Sequence, residues 1–153
     1  MFKDKVTKQN NAAYYFIDRH LNSTIENKKA FVEAIPDGRS ISYKDLSIET
    51  NKIIDLLAKH NIRREERVLM LVLDQIEFPV IFWGCLKAGV IPVPVHTLLS
   101  KDIVNSILND CRAKTIFISE EIQNLIPNPS EIDNPIENIF LISKDNNIKE
   151  FKH

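Results

Sequence analysis

Four short, unbroken apolar runs recur along the chain at nearly equal spacing: Val68–Leu73 (VLMLVL), Val90–Val95 (VIPVPV), Thr115–Ile118 (TIFI) and Asn138–Ile142 (NIFLI). Their starts near 68, 91, 115 and 138 lie 23, 24 and 23 residues apart. Apolar runs without alternation suit parallel strands covered on both faces. An interval of this size holds one strand, one helix and two short loops, the content of a βαβ unit. The rhythm therefore predicts an α/β fold with right-handed crossovers: a doubly wound, flavodoxin-like, mostly parallel sheet of about four strands with flanking helices. Pro92 and Pro94 place the second strand at a sheet edge, where a missing N–H costs least. FPVIFWGCLKAG reads as a buried helix closed by Gly89. SKDIVNSILNDC reads as a helix capped by Ser100, with an apolar stripe of Ile103, Ile107, Leu108 and Cys111. EEIQNLI is a short helical turn, followed by the loop Pro127–Pro135. Pro79 is a local conflict. With Asp74 as the cap it falls in the second helical turn. A helix starting just before it makes it an N1 residue instead.

Upstream of the rhythm, Ala12–Leu21 has helical spacing at 13, 16, 17 and 21. Ala30–Ile35 and Arg39–Ser42 flank Pro36-Asp37-Gly38, a turn signal in which glycine takes the left-handed position, and so predict a β-hairpin. A helix over 43–60 follows. Ser42 is its N-cap, Ile41 and Leu46 its hydrophobic staple, and Asn61 with Ile62 its left-handed C-terminal closure. Residues 1–11 read as frayed, 12–142 as a single α/β domain and 143–153 as a polar tail.

Composition excludes several functions. Twenty Lys and Arg against 21 Asp and Glu leave a net charge of −1, which lacks the basic excess that nucleic acid requires. The three glycines, Gly38, Gly84 and Gly89, cannot form a Walker-type loop or a dinucleotide fingerprint. Cys85 and Cys111 form no C-x-x-C pair and fit reduced thiols of a cytosolic protein. No apolar stretch approaches a membrane span, and the N-terminus lacks the apolar core of a secretory signal.

Ligands of open α/β sheets bind beyond the carboxyl ends of the strands. Those ends carry Asp74, His96 with Thr97, Ser119 with Glu120 and Glu121, and Ser143 with Lys144. Asp74, Thr97 and Ser119 read as helix caps more than as ligands. His96 has no second ligand at metal-binding spacing. Arg63, Arg64 and Arg67 form a basic turn that reads as solvated and paired with Glu65 and Glu66 more than as a phosphate site. Phe78, Phe82 and Trp83 read as core rather than as a stacking platform. No Ser-His-Asp or Cys-His set assembles, so the residues by themselves define no catalytic, cofactor-binding or metal site.

Two motifs add a resemblance. Ser42-Tyr43-Lys44-Asp45-Leu46 matches an S-Y-x-[DE]-L element that opens a helix. Leu86-Lys87-Ala88-Gly89-Val90-Ile91-Pro92-Val93-Pro94 matches an L-K-A-G-x-x-P-V-P element. From about Ala12 to Ser119 the chain resembles the N-terminal part of adenylate-forming enzymes, the acyl- and aryl-CoA synthetases and their relatives. REERVLMLVLD, EFPVIFWGCLKAGVIPV and TLLS look most like the benzoate–CoA ligase branch, with His96 where that branch usually has Asn. The resemblance implies a reaction using ATP, Mg²⁺ and coenzyme A, through an acyl-adenylate, in a full-length member. It places no catalytic residue on this chain, because the family's phosphate loop, acyl pocket and C-terminal lid lie further along. It also implies a partner: the remainder of the ligase or a complementary chain, with self-association through uncovered apolar surface. The rival expectation is a stand-alone binding or interaction module with its site around Asp74, His96 and Ser119.

Overall fold

The computed structural model of the chain describes residues 11–133, 135–143, 145 and 147–151. Apart from Asn11, the segment expected to fray lies outside the described residues. The first element, α1, is shorter than its periodicity predicts. It spans Ala12–Phe16 and passes into a 3-10 turn at Asp18–His20. Asn11 caps it, accepting from Ala13 N at 2.9 Å. The hairpin forms from β1 (Lys29–Val32) and β2 (Ser40–Ser42), paired antiparallel. Asp37, at φ 56°, takes the left-handed position of its turn in place of Gly38. Gly38 answers a different need, since a Cβ there would collide with the Glu33 carbonyl.

Helix α2 (Tyr43–Lys59) follows its local signals closely. Ser42 Oγ accepts from Asp45 N at 3.1 Å. At the far end Asn61 sits at φ 57°. Asn61 N donates to Ala58 O (3.1 Å) and Ile62 N to Leu57 O (3.0 Å), which closes a Schellman motif.

The main sheet runs in the order β4-β3-β5-β6-β7, from β3 (Arg67–Leu71), β4 (Ile91–Pro94), β5 (Thr115–Ser119), β6 (Asn138–Ile142) and β7 (Ile148–Phe151). The first four are parallel, and the proline-bearing β4 is an edge. The expected polar tail instead contains β7, a fifth strand antiparallel to β6. Its two apolar residues explain the docking: Ile148 pairs with Ile142 and Phe151 with Ile139.

Helices cover both faces. Val68 and Met70 of β3 pack with Leu46, Ile53 and Leu57 of α2 and Val80 and Ile81 of α3 (Glu77–Ala88). Leu69 and Leu71 pack on the other face with Val104 and Leu108 of α4 (Lys101–Cys111). Each such fully buried Leu, Ile or Val contributes about 1.5–3 kcal/mol by leaving water. The stripe of α4 is rotated from its expected position: Val104 is buried, whereas Ile103 is 47 % exposed. Ser100 occupies the N-cap position of α4, but its side chain makes no capping bond. Helix α3 ends as expected at Gly89, with φ +78°.

Candidate functional site

Strand order reverses direction between β3 and β5, so the crevice beyond their carboxyl ends is the topological switch point. Ser119, fully buried, lies there. It does not cap the following helical turn. Its hydroxyl accepts from Leu73 N at 3.1 Å and from Gln75 Nε2 at 3.4 Å, tying the end of β5 to the loop after β3. Asp74 does not cap α3 either. Ile76 holds the N-cap position with helical dihedrals, and Asp74 stays exposed. Helix α3 begins at Glu77, so Pro79 is its third residue and neither expected placement holds. Its missing N–H is one of the first four, which have no intrahelical partner in any case.

A carboxylate from the hairpin takes over the cap. Glu33 Oε1 accepts from Ile76 N at 3.0 Å, 43 residues away in sequence. Arg39 then links hairpin and helix. Its Nη1 and Nη2 donate to the two Glu77 oxygens at 2.8 and 2.7 Å, and Nη2 also reaches Glu33 at 2.6 Å. The Arg39 hydrogen bond is the main cause holding the Glu33 carboxyl below its ordinary value. Burial opposes it, and the amides of Ile76 and Arg39 assist. Sequence reasoning missed this network, because no local pattern connects Glu33 to Ile76.

Beside it runs an open groove of about 490 Å³. Phe31 and Val32 of the hairpin form one wall, and Phe78, Phe82 and Trp83 of α3 the other; Asp74 and Gln75 lie at the end toward the switch point. The three aromatic side chains are therefore only partly buried, unlike the core residues expected. They pack at the margin of the cluster that holds Ile81 and Cys85, with Phe78 on the same side of α3 as Cys85 and Trp83 furthest round the helix.

The remaining candidates stay apart. His96 is exposed at the end of β4 and accepts from Leu98 N at 3.2 Å through Nδ1, a local loop bond. Thr97 lies in the turn before α4 and Glu121 is exposed. The Glu120 backbone opens the 3-10 turn that follows β5. Ser143 closes the β6–β7 connection, its Oγ donating to Asn147 O at 3.2 Å. Lys144 lies outside the described residues. Arg63 pairs with Glu66 at 2.9 Å, as the solvated reading expected.

The Leu86–Pro94 motif has a clear physical content. Lys87 Nζ reaches Asp18 Oδ1 at 2.9 Å with 6 % of its side chain exposed, and Ser47 Oγ donates to the same oxygen at 2.8 Å. Asn11 Nδ2 donates to Leu86 O at 2.7 Å. One short stretch thus binds α1, α2 and α3 together. Over residues 17–151 the chain matches the family model described as AMP-binding enzyme.

The chain belongs to the AMP-binding enzyme family. This family member is 33 % identical over 116 residues to the 4-hydroxybenzoate–CoA/benzoate–CoA ligase of Rhodopseudomonas palustris, covering 76 % of the chain and 21 % of the relative. It is 31 % identical over 119 residues to the benzoate–CoA ligase of Thauera aromatica, covering 77 % and 22 %. Among solved structures it superposes on the anthranilate CoA ligase AuaEII in complex with anthranoyl-AMP, with a TM-score of 0.76 and 31 % identity. That match covers 86 % of this chain and 24 % of the other. The chain therefore spans about a fifth of the length of the curated relatives it matches.

Among the described residues no three His, Cys, Asp or Glu side chains cluster to hold a cation. The Ser119 hydroxyl is already engaged. All three glycines serve structure: Gly38 in the hairpin turn, Gly84 against Ile53 and Gly89 at the end of α3. No helix among the described residues is long and apolar enough to cross a membrane.

Proposed function

We propose that this chain supplies the N-terminal part of an AMP-forming aryl-carboxylate–CoA ligase of the benzoate type. The observation that carries this is the identity to two benzoate–CoA ligases over three quarters of the chain. In such a ligase a carboxylate attacks ATP to give an acyl-adenylate and pyrophosphate; coenzyme A then takes the acyl group as a thioester and releases AMP. This chain's share is structural. It builds the switch-point crevice and holds its mouth with the Glu33–Arg39–Glu77 network. By itself it does not adenylate, since the developing negative charge needs preorganised donors and a metal that these residues do not supply. The apolar groove along α3 receives the remaining polypeptide of the ligase. Its half-buried aromatic wall and the greater length of the relatives, of which the match covers 21 %, support this assignment.

The test is a chimera. Residues 12–142 replace the corresponding segment of the Rhodopseudomonas palustris ligase, and benzoate-dependent ATP–pyrophosphate exchange is measured. Retained exchange in the folded chimera is expected, with none from the 153-residue chain alone. A folded chimera without exchange, or exchange by the short chain, overturns the reading.

A further inference from the structure

We propose that the amino-terminal end of the sheet, opposite the switch point, binds a phosphate-bearing small anion. A cleft of about 250 Å³ opens there between the turn before β3 and the turn before β5. Five cationic side chains line it, Arg63, Arg64, Arg67, Arg112 and Lys114, against two carboxylates, Glu65 and Glu66. Strand register creates the convergence. Val68 pairs with Thr115, so Arg67 at the start of β3 and Lys114 just before β5 both stand one step before this register.

Two of the five are already matched. Arg63 is held by Glu66 at 2.9 Å, and Lys114 by Glu137 at 2.7 Å. Among the described residues Arg64, Arg67 and Arg112 make no ion pair. Glu65 on the rim and Asp110 in the last turn of α4 are the carboxylates that remain nearby. All three arginine side chains are exposed, and the backbone or stem position of two of them is defined. The Arg64 stem lies over Gly89, close enough that a Cβ there would come within 3.2 Å of its Cγ. Arg112 is held at φ 53° where α4 ends. Guanidinium forks match phosphate oxygens in pairs. No aromatic side chain lines the cleft, so nothing stacks a base. Its size suits a phosphate or diphosphate with its water rather than a nucleic acid strand.

The inference is independent of the ligase reading and is tested on the full chain with inorganic pyrophosphate as the probe. Calorimetric titration at low salt should show saturable binding that weakens as salt is raised. The variant Arg67→Gln/Arg112→Asn should weaken it by about tenfold or more. Asparagine tolerates the left-handed position, and a thermal melt checks that the variant folds. Lys52→Gln, on the exposed face of α2, should leave binding unchanged. In the wild-type chain, amide shifts on titration should concentrate at residues 63–67 and 112–115. Absence of saturable binding, an equal loss in Lys52→Gln, or shifts located elsewhere would each overturn the proposal.

Discussion

Gly84 marks the closest approach of α2 and α3. A Cβ at this position would sit 2.5 Å from the Ile53 Cβ, so any side chain must push the helices apart. Gly84→Ala should destabilise the fold by about 1–3 kcal/mol, the usual cost of overpacking. Urea unfolding checks this, and Ile53→Ala in the same chain should recover part of the loss, because neighbouring sites are not additive. Lys87 is the second sensitive residue. Lys87→Met leaves Asp18 with only the Ser47 hydroxyl in a largely buried site, and should cost about 3 kcal/mol in the same assay. The two cysteines differ in a way that labelling can read. Burial pushes the Cys85 thiol up to about 12, while Cys111 is only half-buried and its thiol is raised mainly by the same cause. A thiol reagent near neutral pH should modify Cys111 slowly in the native chain and Cys85 only on unfolding.

Among the elements, the hairpin depends most on a single group. Glu33 both caps α3 and anchors Arg39, and its carboxyl titrates below the ordinary 4.5 in the folded chain. Its contribution is therefore complete above pH 4.5 and is lost as pH falls through the depressed folded-state value. Glu33→Gln should lower stability at neutral pH and flatten the acid limb of the profile, as read by thermal melts across pH. Local elements were legible where their signals were local. Ser42, Asn61 and Gly89 marked helix ends through short-range backbone chemistry, and the apolar rhythm disclosed the parallel strands. What stayed hidden depends on distant partners. Asp74 stands where a cap belongs, but the cap comes from the hairpin. Ile148 and Phe151 are too few among polar neighbours to announce a strand, and only pairing with β6 makes them one. Phe78, Phe82 and Trp83 sit in so apolar a helix that periodicity could not separate their open face from the buried one.

For the whole molecule, the groove along α3 governs behaviour in solution. Without the rest of a ligase over it, its aromatic wall meets water, and the chain should self-associate. Sedimentation at rising concentration should show the average mass increasing, and Phe82→Lys should suppress the increase. The switch point was legible in outline, because the rhythm predicted a flavodoxin-like sheet and hence where its crevice opens. Its occupants were less so: Ser119 and Asp74 are there, while His96 follows the end of the edge strand β4 and makes only a local loop bond. The strand order has a further consequence for how the chain is made. With β3 produced first and β4, β5, β6 and β7 added in turn, each new strand finds its neighbour already synthesised. The sheet can thus assemble as the polypeptide leaves the ribosome, each strand docking on an edge that is already present.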